Sequence, residues 1–273
     1  MRTVVALARC SHLAPTVAVT TFATLLALGA GITPARAAWV AAAVLAGQLS
    51  VGWSNDWVDR HRDRAAERRA KPLVRGDIAD QTVVRGAAIA VAACLVLSLQ
   101  LGWRATVGHM AAVALAWGYN LGLKSTPASV VPYAGAFGLL PVVVTLALQP
   151  PQWPQPWAVF TGAALGAGAH FANALPDLTL DAATGVRGLP HRAGAAGSLA
   201  AAAAFSGGGV AMVFVGVPDL AAPARVLLIA TATVVAAIPI SWAVGQRSAA
   251  FRLAIAAAGG VVLSLLASGS RLV

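Results

Sequence analysis

Long stretches of this chain carry no formal charge at all. Ala38 to Val51 and Ala87 to Leu99 each pass without one acidic or basic residue. A helix on the surface of a soluble domain presents a polar face to water and is interrupted about every turn. A bilayer core of ~30 Å instead requires ~20 mostly apolar residues in succession. Backbone groups in lipid must be satisfied internally, and no run has the two-residue alternation of a barrel strand, so the spanning elements are helices. Composition agrees: 59% of the 273 residues are hydrophobic and 10% are charged, against roughly 25% charged in an average soluble domain. The expected fold class is all-α, a polytopic membrane protein forming a single membrane-embedded domain over residues 1–273 rather than a soluble domain with an anchor.

The ~20-residue criterion predicts about nine spans: His12–Gly31, Ala37–Ser54, Thr82–Leu101, Ala105–Leu121, Ser129–Leu148, Trp157–Leu175, Ala195–Val217, Pro223–Val244 and Ala249–Ser268. Arg2 and Arg9 precede the first apolar run as they would in a signal peptide, but further spans follow, and an uncleaved first helix is expected. The formal charge of +10 does not point to nucleic acid, because the basic residues lie in short loops where topology explains them. With the N-terminus inside, fifteen of the nineteen fall on the cytoplasmic side, Arg247 among them; Arg36, Arg104, Arg225 and Arg271 fall outside. That bias follows the positive-inside rule and suits an odd number of spans. Trp39, Trp103, Trp153 and Trp157 fall near outer span ends, and the proline-rich stretch from Pro150 to Pro156 reads as a tight outer loop. The cell membrane, with the cytoplasmic loops bearing any active site, is the expected location. Cys10 and Cys94 have neither metal nor disulfide spacing and read as structural.

Acidic residues are scarce and concentrated. There are nine, six of them between Asp56 and Asp80, two at Asp177 and Asp181, and one at Asp219. Asn55, Asp59 and Asp63 repeat every four residues where the second span ends. Asn173, Asp177 and Asp181 repeat the spacing where the sixth ends, 118 residues later. Four-residue spacing puts three oxygen-bearing side chains on one helical face. Carboxylate and amide oxygens suit a hard dication such as Mg²⁺, whose coordination is often completed by substrate phosphates. Two facing triads suggest two Mg²⁺ ions clamping one diphosphate and neutralising it as it leaves. Pairing with neighbouring arginines explains Asp59 and Asp63 in part, and is the favoured explanation for Glu67, Asp77 and Asp80. It does not explain Asp177 and Asp181, which have no nearby base before Arg187. Cations for a diphosphate are available at Arg68, Lys71 and Arg75, at Lys124, and at Arg187 and Arg192. His61, His109, His170 and His191 are scattered, with no pair at metal-ligand spacing on a common helix; His170 is a candidate for a cavity wall.

These residues resemble the UbiA superfamily of intramembrane prenyltransferases. Asn55-Asp56-x-x-Asp59-x-x-x-Asp63 is similar to its first aspartate-rich motif and Asp177-x-x-x-Asp181 to its second. Tyr119-x-x-x-x-Lys124 is similar to its tyrosine–lysine element, and Lys71-Pro72-Leu73-Val74-Arg75-Gly76 resembles its Arg-Pro-Leu-x-x-Gly loop, with lysine in place of arginine. Gly188-Leu189-Pro190 with Arg192-Ala193-Gly194 fits the segment after the second motif. The resemblance implies a helical bundle around a cavity open to lipid, and Mg²⁺-dependent transfer of a prenyl group from an isoprenyl diphosphate to a lipophilic or aromatic acceptor, such as a quinone precursor. It implies metal ligands at Asn55, Asp56, Asp59, Asp63, Asn173, Asp177 and Asp181, and diphosphate contacts at Arg68, Lys71, Arg75, Tyr119 and Lys124. Asp59, Asp63, Asp177, Asp181 and Lys124 would carry the chemistry. An intramembrane terpene cyclase would share both motifs. A transporter would place its acids nearer the midplane, and a CDP-alcohol phosphotransferase would carry an Asp-Gly-x-x-Ala-Arg signature that is absent.

Overall fold

A computed structural model describes residues 2–246, 248–269 and 271–273; Arg247, one of the basic residues assigned to the cytoplasmic side, lies outside them. The described residues form helices and connecting turns. In chain order the α-helices are α1 Arg2–Cys10, α2 Leu13–Gly29, α3 Pro34–Ala65, α4 Pro72–Arg75, α5 Asp80–Leu99, α6 Trp103–Leu121, α7 Val130–Leu146, α8 Pro156–Ala174, α9 Leu178–Ala183, α10 Leu189–Gly216, α11 Ala222–Ala243 and α12 Ala249–Ala267. Short 3₁₀ turns at Leu123–Ser125 and Leu175–Asp177 follow α6 and α8.

Among the described residues, nine of these helices have 17 residues or more, but fewer than the nine expected spans meet both the length and the apolar content of a membrane crossing. By length and composition, α3, α5, α10, α11 and α12 are each apolar enough to cross a membrane, and the bent pair α1–α2 makes a sixth. Helix α7 is apolar but shorter. Helices α6 and α8 carry Tyr119, Asn120, His109, His170 and Asn173, and these polar groups lower their apolar content because they face a cavity rather than lipid. Side chains such as Ile89, Val107, Phe160, Val215, Val226 and Ile240 are exposed on the outside. Such a surface is stable against lipid tails and unstable against water.

Two boundaries depart from the expectation. The N-terminal basic stretch is a separate helix, α1, set at 69° to α2. Helix α3 does not stop at Ser54 but continues to Ala65, about three further turns, so the first acidic motif stands on rigid helix and not in a loop. No proline or glycine interrupts Ser54–Ala65, and nothing there ends the helix.

Helix α2 packs on α3, α3 on α5 and α6, α6 on α7, α7 on α8, α8 on α10 and α12, and α12 returns to α2. Small residues set the close approaches, as in membrane bundles generally. A Cβ on Gly166 would meet Phe137 Cβ at 2.7 Å, and one on Gly52 would meet the Ser11 carbonyl carbon at 2.7 Å. At the end of the bundle opposite the acidic motifs, Arg36 is more than a topology signal. Its guanidinium donates to the Ala147 carbonyl at 2.7 Å and the Leu101 carbonyl at 2.8 Å, tying α3 to the ends of α5 and α7. Cys10 and Cys94 are free and buried.

Candidate active site

Helices α2, α3, α6, α7, α8 and α12, with α9 and the first turn of α10 at one end, surround a cavity of about 440 Å³. Its deeper wall is apolar: Val19, Phe22, Val44, Val113, Leu140, Leu165, Ile255 and a series of alanines including Ala112, Ala136, Ala169 and Ala258. The alanines leave the space that larger side chains would fill. The other end is charged, lined by Asn55, Asp59, Asp63, Arg68, Lys71, Tyr119, Lys124, Asn173, Asp177 and Asp181. Two residues of the expected set stand apart. Asp56 is buried but does not line the cavity; it pairs with Lys71 at 2.8 Å and with His12 at 3.1 Å. Arg75 pairs with Asp77 on the surface, and Asp80 pairs with Arg64 and Arg60. The surface pairing expected for Asp77 and Asp80 is thus present, while Arg75 points away from the charged end of the cavity.

The two triads differ in build. Asn55, Asp59 and Asp63 share one face of continuous helix. The second triad does not: α8 ends at Ala174, Pro176 lies in a 3₁₀ turn, and α9 restarts at Leu178. Proline cannot donate to the helical ladder and its ring crowds the preceding turn. Asn173, Asp177 and Asp181 therefore come from three separate pieces: the end of α8, a 3₁₀ turn and the short helix α9.

Each cavity carboxylate is matched by a cation. Lys124 Nζ lies 2.5 and 2.6 Å from the two oxygens of Asp59, whose Oδ1 also accepts from Arg62 at 3.0 Å. Lys71 Nζ is 2.9 Å from Asp63 Oδ2. Arg68 spans both motifs, at 3.6 Å from Asp63, 2.9 Å from Asp181 and 3.8 Å from Asp177. The partners of Asp177 and Asp181 thus come from the first motif's loop and not from Arg187. Burial pushes the Lys71 ammonium down, but Asp56 and Asp63 together outweigh it and hold it above its ordinary value. At Lys124 burial outweighs the attraction of Asp59 and the ammonium is held below its ordinary value. Burial also raises the Asp181 carboxyl against the pull of Arg68, and neighbouring Asp177 adds to the rise.

Among the described residues no three His, Cys, Asp or Glu side chains are grouped as a ready-made metal centre. The donor chemistry nonetheless fits Mg²⁺, being carboxylate and amide oxygen throughout. Asp63 Oδ2 is buried and, although near Lys71, receives no aligned hydrogen bond. A dication bound here would replace the cations that now neutralise these acids, and the freed lysines and Arg68 would face any phosphate bound with it.

Beyond the expected residues, the cavity gathers His12, Arg62, Tyr133 and His191. Tyr133 packs edge-on to Tyr119 with ring centroids 5.2 Å apart, and Asn173 donates to its hydroxyl at 3.4 Å. Asn55 donates to Asn120 at 3.1 Å, fixing the first triad's amide to α6. The four-residue periodicity of the triads gives no sign of these neighbours.

The family model for the UbiA prenyltransferase family matches residues 16–252. Among solved structures, the chain resembles an apo UbiA homologue from Aeropyrum pernix, with 25% identity, a TM-score of 0.76, and coverage of 92% of this chain and 96% of that one. A structure described as digeranylgeranylglyceryl phosphate synthase in membranes matches at 16% identity and TM-score 0.72 over 100% of both chains. A UbiA homologue from Archaeoglobus fulgidus bound to GPP and Mg²⁺ matches at 16% identity and TM-score 0.68, covering 94% of this chain and 99% of that one. No curated protein matches the chain. With the family model covering most of its length and the same bundle recurring in these homologues, the chain belongs to the UbiA prenyltransferase family.

Proposed function

We propose that this protein transfers a prenyl group from an isoprenyl diphosphate to a lipophilic or aromatic acceptor within the membrane and releases diphosphate. The observation that carries this reading is the shape of one cavity: two acidic motifs and their cations at its mouth, an alanine-lined apolar space below. That division suits a molecule with an anionic head and a hydrocarbon tail. The Archaeoglobus fulgidus homologues were solved with GPP or DMAPP and Mg²⁺, which supports the same ligand class here.

In this reading Asn55, Asp59 and Asp63 hold one Mg²⁺, and Asn173, Asp177 and Asp181 a second. Asp56, turned away from the cavity, supports Lys71 instead of ligating. Bound Mg²⁺ supplies neutralisation of the departing diphosphate. The chain's own residues do the rest. Lys71, Lys124 and Arg68 are already held at the mouth by carboxylates, so they are ordered before the anion arrives, and preorganised charge stabilises a developing anion without reorganisation. Tyr119 and Tyr133 line the same cavity as the charged mouth, where their π-faces would favour a cationic carbon. The apolar walls exclude water, which would otherwise capture the allylic cation. We further propose that the chain is one domain in the cell membrane with the charged mouth on the cytoplasmic side, the side that carries most of its basic residues.

The test is binding and product formation by the purified protein in detergent. Radiolabelled geranyl diphosphate should bind only with Mg²⁺, and a membrane lipid extract should yield a labelled, diphosphate-free product. Binding unaffected by chelation, or loss of the diphosphate to give a hydrocarbon without any acceptor, would contradict the transferase reading.

A further inference from the structure

The chain has three asparagines, Asn55, Asn120 and Asn173, and all three line the cavity. Asn55 and Asn173 open the two triads. Asn120 belongs to neither, and the diphosphate-binding arrangement makes no use of it. It lies near the end of α6 and is buried, and both hydrogens of its side chain are committed. Its amide nitrogen donates to the Val51 carbonyl at 2.9 Å and to Ser54 Oγ at 2.8 Å, both on α3. Its oxygen accepts from the Asn55 amide at 3.1 Å.

This network decides which way each amide points. The oxygen and nitrogen of a carboxamide are nearly alike in shape, so their partners distinguish them. A carbonyl only accepts, so Val51 requires the nitrogen of Asn120 on its side. The Ser54 hydroxyl gives its one hydrogen to the Val51 carbonyl at 2.9 Å, so Ser54 Oγ also requires a donor from Asn120. The oxygen of Asn120 is left facing Asn55, and Asn55 must turn its nitrogen toward it. The Asn55 carbonyl oxygen is then the atom left for the cavity, and it has no hydrogen-bond partner among the described residues. Hard cations bind amides through oxygen; an Asn55 turned the other way would show them an N–H group. Asn173 has a less selective neighbour, because the Tyr133 hydroxyl at 3.4 Å can accept or donate.

We infer that Asn120 is a positioning residue for the first metal site, acting through Asn55 by holding its carbonyl oxygen toward the cation. The inference rests on the Mg²⁺ reading of the first motif. A second hydrogen bond between the same helices, Trp117 Nε1 to Ser50 Oγ at 3.2 Å, ends on no motif residue and supplies a contact of purely structural kind. Bonds of both sorts hold membrane bundles together, but only the one through Asn120 ends on a proposed ligand. The same bonds give a reason for an amide at position 55. A carboxylate there would set oxygen against the Asn120 oxygen with no proton between them. Freed of Asn120, a carboxylate needs no orienting, because its two oxygens are equivalent.

The test is metal binding by the whole protein in nanodiscs with geranyl thiodiphosphate present. Mn²⁺, which shares the oxygen preference of Mg²⁺, is titrated by electron paramagnetic resonance, and the side-chain ¹⁵N signals of the three asparagines are followed as Mg²⁺ is added. In the parent, the Asn55 and Asn173 signals should both move. Asn120→Leu should weaken one of the two Mn²⁺ sites about tenfold, the lower end of the range for lost outer partners of metal ligands, and suppress the response of Asn55 while that of Asn173 persists. Trp117→Phe should leave both sites as they are. Asn55→Asp alone should bind Mn²⁺ no more tightly than the parent despite its added charge, and Asn55→Asp combined with Asn120→Leu should recover parental affinity or better. Unchanged affinity in Asn120→Leu, equal weakening of both sites, or a double variant that stays weak would overturn the inference and leave Asn120 a helix contact. If Asn120→Leu does not fold, tighter binding by Asn55→Asp alone would overturn it equally. A parent that binds no Mn²⁺ would strike the metal reading itself, and the inference with it.

Discussion

Arg68 reaches Asp181 across 113 residues of chain, with Nη2 2.9 Å from Oδ1, and its other nitrogen lies 3.6 Å from Asp63. One guanidinium thus joins the loop after the first acidic motif to the helix that ends the second. A planar fork offers a separate nitrogen to each acid, where a lysine ammonium has a single nitrogen for both.

Replacement of Arg68 should therefore separate geometry from charge. Arg68→Lys keeps the charge and loses the bridge. We expect kcat/KM for the prenyl diphosphate to fall about a hundredfold, a loss of ~3 kcal/mol in transition-state stabilisation, with Arg68→Ala no worse than tenfold beyond that. Steady-state kinetics on both variants check it, and a lysine variant with normal kinetics would mean the bridge has no role in turnover.

The two lysines at the mouth should respond oppositely to alkali. Burial holds Lys124 below 10.5 despite Asp59. Between that lowered value and 10.5 the unfolded chain binds the proton that the folded chain has released, so folding strengthens as pH rises through the interval. For Lys71 burial is outweighed by Asp56 and Asp63, and its value lies above 10.5. Its contribution is full below 10.5 and is lost only as pH climbs beyond it. As pH rises toward 10.5, the melting temperature of the parent relative to Lys124→Gln should rise, and relative to Lys71→Gln should stay level. Thermal melts across that range test both signs.

Gly188 has room for hydrogen and nothing more. A Cβ there would meet Ser129 Oγ at 2.8 Å and Ser129 Cβ at 3.2 Å, and would press on the Lys124 backbone. Gly188→Ala should cost ~1–3 kcal/mol of stability and displace both Lys124 and the turn bearing His191. Activity should fall more than the melting temperature accounts for. A variant of parental activity would show that this approach is not needed.

Arg36 supplies the contrast. Its two bonds to the Ala147 and Leu101 carbonyls lie far from the charged mouth. Arg36→Met should lower stability by ~1.5–3 kcal/mol per lost charged hydrogen bond at most while leaving activity per folded molecule intact, as measured by turnover against the folded fraction.

The all-helical apolar architecture and the two acidic clusters were legible in the sequence for physical reasons. Lipid forbids long polar interruptions, so the apolar runs mark the helices, and acids are so scarce that two clusters stand out. Other features depend on distance along the chain or on direction around a helix. Asp56 follows Asn55 by one residue, roughly 100° around the helix, and so leaves the face shared by Asn55, Asp59 and Asp63; helical periodicity could have excluded it from the cavity. Pro176 could likewise have marked the break in the second triad. The bridge from Arg68 to Asp181 and the turning away of Arg75 had no local signal. They arise where helices far apart in sequence pack at one end of the bundle.

The most direct test of the central claim is diphosphate release by the purified protein, with prenyl diphosphates of several tail lengths, a membrane lipid extract and graded Mg²⁺. Asp59→Asn and Asp177→Asn are run beside the parent. The account predicts Mg²⁺-dependent release, stimulated by the extract and reduced at least about a hundredfold by either substitution, one from each motif. Release that persists without Mg²⁺, or that survives loss of either aspartate, would contradict a site in which both motifs act on one diphosphate.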